Sequence, residues 1–109
     1  MTFNMPPWHP ITSPIDLKHL GKLAEELGEL TAAISRCIIQ GLDEREPVTG
    51  KLNREWLEDE IADVAVGIDL CIEHFRLNGP RMAERANQKE ARLRSWHGAL
   101  KQAPPPSQT

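Results

Sequence analysis

Apolar residues recur at helical spacing in two long stretches of the chain and, more weakly, in a third. Wound at about 100° per residue, Leu23, Leu27, Leu30 and Ile34 share one face, and Leu57, Ile61, Val64 and Ile68 share another. The first pattern runs from Leu17 to Ile38 between recognisable helix boundaries. Ser13 is a good N-cap, Pro14 suits the first helical position, and Asp16 stands where a capping box places its acid. Gly41 is a suitable stop. The second helix is expected from Arg54 to about Leu77, with Asn53 as N-cap and Asn78-Gly79-Pro80 as terminator. A third is expected from Pro80 to about Trp96, with Met82, Ala86, Leu93 and Trp96 towards the bundle. Gly98 would end the ordered part.

The segments between these helices read differently. Residues 41–53 are polar, hold Pro47 and Gly50, and exceed the roughly two to eight residues of most helix–helix connections. They read as a solvated linker, with Asp43, Glu44 and Arg45 as the alternative makings of a lid. Pro6, Pro7 and Pro10 keep residues 1–13 from being helical, so this arm is expected to anchor Trp8 on the core, or else to stack it on a base. Residues 99–109 read as a disordered tail. The fold expected is all-α: an antiparallel bundle of three main helices in a domain spanning 14–98, completed by oligomerisation because one chain leaves apolar surface uncovered.

Candidate chemistry enters with the acids. Glu25 to Ile34 aligns without a gap on Asp59 to Ile68, acid on acid and apolar on apolar. The winding sets Glu26 and Glu60 on the shoulder of the two apolar faces, with Glu29 and Asp63 one turn later. If the faces pack together, four carboxylates line one edge of the seam. Such crowding is costly unless a cation sits among them, and an all-oxygen set suits Mg²⁺. The plain alternative is two solvated helix flanks. Lys22 either pairs with Glu26, four residues on, or reaches a phosphate. Trp56 either lines a base pocket or packs at the rim of the core.

Composition narrows the partners. A net charge of −3 offers no basic field, which argues against duplex nucleic acid and anionic membrane. Cys37 and Cys71 lie on apolar helix flanks and read as buried thiols rather than a disulfide. No apolar run is long enough to span a bilayer, and no signal-peptide pattern opens the chain. A cytoplasmic location is therefore expected. His19 and His74 form no spacing that suits a metal.

Glu25-Glu26-x-x-Glu29, followed by Glu60-x-x-Asp63, resembles the signature of the MazG-like all-α nucleoside triphosphate pyrophosphohydrolases, and the likeness runs from Leu17 to Trp96. It implies a helical homodimer or homotetramer that cleaves a (deoxy)nucleoside triphosphate to monophosphate and pyrophosphate. It also implies that Glu26, Glu29, Glu60 and Asp63 hold one or two Mg²⁺ ions, which Mn²⁺ can replace. Asn87-x-Lys89-x-x-Arg92 loosely matches the family's later basic helix and, with Lys22, is the expected phosphate-binding set. Glu29, off the seam, is the candidate general base. The competing reading is a non-catalytic helical oligomerisation or regulatory module whose acids keep it soluble. A di-iron bundle wants Glu-x-x-His on two helices, and the chain has none.

Overall fold

The computed structural model describes residues 7–102. Three helices account for most of them: α1 (Pro14–Gln40), α2 (Asn53–Phe75) and α3 (Gly79–Gln102). The chain divides into two compact units, one ending at Leu77 and the other beginning at Asn78.

In the first unit α1 and α2 pack along their length. Asp16 and His74 are hydrogen-bonded at 2.6 Å, and the Cys71 thiol donates to the His19 carbonyl at 3.5 Å. At the other end the Cys37 thiol donates to the Asn53 carbonyl at 3.7 Å. The start of each helix thus lies beside the end of the other. Both cysteines are free, and Cys71 is buried. His19 and His74 stack with their ring centroids 4.1 Å apart, and Phe75 meets both rings edge-on.

The buried and half-buried positions define a seam that differs from the expected one. On α1 they include His19, Leu23, Glu26, Leu30, Ala33 and Cys37; on α2, Asn53, Leu57, Glu60, Val64, Gly67 and Cys71. Both sets step by four and three residues, the repeat of helices that stay in contact over many turns. Glu26 and Glu60 therefore lie in the seam, whereas Leu27 and Ile61 are 46% and 52% exposed. Small residues explain the rotation towards the acids. Ala33 is buried, and Gly67 leaves room for the Leu23 side chain, whose Cδ1 would stand 3.4 Å from a Cβ there. Leu20, Leu27, Ile34, Ile61 and Ile68 remain as an exposed apolar flank.

The connection between α1 and α2 is exposed over most of its length, as a solvated linker would be, but it is tied by hydrogen bonds of its own. Arg45 and Leu52 form a β-bridge, and the Glu46 carboxylate accepts from the Val48 and Thr49 amides and the Thr49 hydroxyl. Those bonds hold Glu46 below the usual glutamate range, the Thr49 side chain contributing most. Asp43 takes a two-pronged bond from Arg54, which lowers its pKa. Asn53 is not the expected N-cap. The helix is capped at Leu52 without a side-chain bond, and Asn53 is 1% exposed, its amide donating to the Gln40 side chain and the Gly41 carbonyl. Its side chain satisfies the end of α1 instead of the start of α2.

Other boundaries divide between expectation and correction. Ser13 caps α1 by accepting from the Asp16 amide, and Gly41 closes it at φ 105°. The Asp16 carboxylate, expected to complete a capping box, bonds His74. The left-handed residue ending α2 is Arg76 at φ 51°, not Asn78 or Gly79. The Arg76 and Leu77 amides reach back to Glu73 and Ile72. Asn78 accepts from the Arg81 amide and so opens α3. That helix continues past Gly98 to Gln102, and the rest of the expected tail lies outside the described residues. No residue of α3 is buried, including Met82, Ala86, Leu93 and Trp96. Trp8 is 74% exposed and does not anchor the arm; residues 1–6 lie outside the described part.

The Asn53 tie makes a quantitative prediction. Asn53→Ala strands the Gly41 carbonyl and is expected to cost about 1–3 kcal/mol in urea unfolding. A loss below about 0.5 kcal/mol, the level of an ordinary surface change, would show that the tie does not hold the loop.

Candidate metal centre

The step of four and three residues brings Glu26 of α1 opposite Glu60 and Asp63 of α2. One carboxylate oxygen from each lies within 4.8 Å of the other two. Glu26 is 9% exposed, Glu60 half-buried and Asp63 exposed, so the group runs from the seam to its edge. The second oxygens of Glu26 and of Glu60 are both buried and have no hydrogen-bond partner among the described residues. Two orphaned anionic oxygens beside a third carboxylate form a set that a hard divalent ion would satisfy. Its oxygen-only chemistry fits Mg²⁺ or Mn²⁺ and not a thiophilic metal.

Lys22 lies one turn before Glu26 and pairs with it at 3.2 Å, and with Glu25 at 3.5 Å. Its pKa is raised, mainly by the hydrogen bond to Glu26 and then by the charge of Glu25. The lysine is exposed, so water screens the pair and it contributes little. It leaves the inner oxygens of Glu26 and Glu60 unserved.

Glu29 stands outside the converging trio, exposed on the flank of α1. Its carboxyl is pushed above the usual range, first by the charge of Glu26, then by partial desolvation and by Glu60 and Glu25. The acids thus sense one another across the seam.

Two clefts flank the trio. One, of about 310 Å³, is lined by Lys22, Glu26, Asp63 and the apolar Val66, Gly67 and Leu70. The other, of about 300 Å³, holds Glu29 and Glu60 with Arg36, Trp56 and Glu46 over a floor of Ala32 and Ala33. The Lys51 ammonium stands 4.3 Å from the Trp56 ring centroid and the Arg36 guanidinium 5.7 Å from it. Lys51 also pairs with Asp59, which raises its pKa.

The sequence pattern pointed to Glu26, Glu29, Glu60 and Asp63 as one set with Lys22 beside them; three of the four acids converge, and Glu29 does not join them. Asn87, Lys89 and Arg92 lie on α3, exposed, in the second unit. Arg36 and Lys51 were missed. Arg36 follows Glu29 by seven residues, two helical turns, and so shares its flank; that spacing was the available signal. The approach of Lys51 to Trp56 depends on the folded loop and had none.

No protein-family model, curated protein or solved structure matches this chain. The chemistry of the site rests on its own residues.

The raised Glu29 carboxyl has a signed consequence for stability. A raised folded-state pKa means that the contribution to stability is full below the unfolded value, ordinarily 4.5, and is lost as pH rises through the folded one. Glu29→Gln cannot ionise and is expected to melt above the wild type at neutral pH without divalent ions. The difference should close as pH falls past 4.5. An equal gap at every pH would mean that the acids do not interact.

Proposed function

We propose that this chain is a Mg²⁺-dependent nucleoside triphosphate pyrophosphohydrolase, a member in kind of the MazG-like enzymes that its acidic half-motifs resemble. The observation that carries the reading is the pair of buried, unpartnered oxygens on Glu26 and Glu60 beside Asp63. A module that used its acids only for solubility would keep them in water and would not pack two of them into a helix seam.

Glu26, Glu60 and Asp63 hold the metal, with Glu29 as a further ligand or as base. When bound, Mg²⁺ supplies charge to offset the triphosphate and orient it. A water oxygen then bonds to the α-phosphorus while the bond from that phosphorus to the bridging oxygen breaks. The electron pair leaves on pyrophosphate, and the water proton passes to the Glu29 carboxylate. Glu29 suits this role because it stands exposed outside the converging trio and lines the same cleft as Glu60.

The three-helix antiparallel bundle completed by a second copy belongs to the same proposal. Leu20, Leu27, Ile34, Ile61 and Ile68 form an exposed apolar flank of a kind that dimerisation covers. Lys22 neutralises the outer edge of the site. Asn87, Lys89 and Arg92 keep their place in the reading only as what the resemblance implies for phosphate binding.

A panel of (d)NTPs with Mg²⁺, scored for pyrophosphate against orthophosphate, tests the reaction. Pyrophosphate release is expected; orthophosphate alone, or no turnover of any nucleotide, would reject it. Glu26→Gln and Glu60→Gln should each lower kcat by at least about a hundredfold while leaving the helical circular dichroism intact. Near-normal turnover in both would remove these residues from the site.

A further inference from the structure

The two clefts beside the carboxylates differ in what they offer a ligand. The one on the Lys22 side is walled by Val66, Gly67 and Leu70, and its one cation is already bonded to Glu25 and Glu26. The other holds the Arg36 guanidinium among three carboxylates, Glu29, Glu46 and Glu60. The Trp56 indole N–H is buried and has no acceptor among the described residues. Arg36 makes no ion pair with any described carboxylate, although it lines the same cleft. Glu46 feels the Arg36 charge, but its carboxylate oxygens are engaged by the Val48 and Thr49 amides and the Thr49 hydroxyl. Ala32 and Ala33 leave the floor open. The Trp56 ring is engaged by the Lys51 and Arg36 cations, so its face is not free to stack a base.

We infer that the Arg36–Trp56 cleft is the subsite for the pyrophosphate end of the substrate, so that the nucleoside lies on the Val66–Gly67–Leu70 side. The inference rests on the hydrolase reading above and assigns a direction across it. A guanidinium fork and an indole N–H are donors only, and a phosphate is an acceptor only. Glu29, Glu46 and Glu60 line the same cleft, so an anion enters it only with the divalent ion offsetting their charge. Pyrophosphate binding is therefore metal-dependent, while metal binding does not require Arg36.

Calorimetric titration of the full chain with Mg²⁺ alone, and with inorganic pyrophosphate at saturating Mg²⁺, tests this. Arg36→Gln should weaken pyrophosphate binding about tenfold or more, the loss of a charge-assisted hydrogen bond. Mg²⁺ alone should bind R36Q as tightly as the wild type or more tightly, because a nearby cation is gone. A general loss of structure would weaken both ligands together, so the opposed signs identify the subsite. Trp56→Phe should weaken pyrophosphate about two- to tenfold, and Arg36→Lys should fall between wild type and R36Q. These two variants carry the test if R36Q does not fold. Pyrophosphate affinity within twofold of wild type in the folded variants, with Mg²⁺ binding intact, overturns the subsite and leaves the hydrolase reading standing. A wild-type chain that binds neither Mg²⁺ nor its pyrophosphate complex overturns both.

Discussion

Two carboxylates inside a helix seam set the terms for the rest of this structure. Glu26 and Glu60 occupy positions in the repeat of α1 and α2 that a simple helix pair would give to Leu or Val. Withdrawing a charge from water costs on the order of several kcal/mol per ion, and a lysine screened by solvent returns only a small part of that. Lys22 is therefore too little, and the inner oxygens of Glu26 and Glu60 keep no partner among the described residues. The same rotation that brings the acids in turns Leu27, Ile34, Ile61 and Ile68 outwards. The acidic cleft and the uncovered apolar flank are two results of one choice of seam.

The connection between the helices serves that choice. A hydrogen-bonded loop with a β-bridge, a self-capped Glu46 and an Asp43–Arg54 pair fixes the end of α1 against the start of α2. Asn53 locks the joint from inside. Fixing it also fixes Lys51 and Trp56, and so shapes the cleft beside Glu60. At the opposite end, the Asp16–His74 bond and the stacked histidines close the pair without a disulfide.

Much of this was legible in the chain, and the failures have physical causes. Helix existence followed from periodicity, and Ser13, Pro14 and Gly41 marked α1 correctly because caps are local chemistry. The acidic trio was visible because a repeated spacing on two helices survives any modest rotation of the seam. The rotation itself was not visible: apolar residues outnumber the seam positions, and Ala33 and Gly67 decide which flank is used. Asn53 and Asp16 were misread for the same reason. Each has a local capping role open to it, and each instead bonds a residue far away in sequence, Gln40 with Gly41 and His74. The left-handed turn fell on Arg76 although a glycine stood three residues on, so backbone geometry overrode residue preference there.

Thermal unfolding of the full chain against Mg²⁺ concentration reaches the central claim most directly. A cation that completes the Glu26–Glu60–Asp63 set binds the folded chain alone, so Tm should climb with added Mg²⁺, by the equivalent of about 2.7 kcal/mol at a hundred times its dissociation constant. Na⁺ at matched ionic strength should not reproduce the climb. A Tm indifferent to Mg²⁺ and Mn²⁺ would contradict the claim, leaving two acids buried in a seam with nothing to hold.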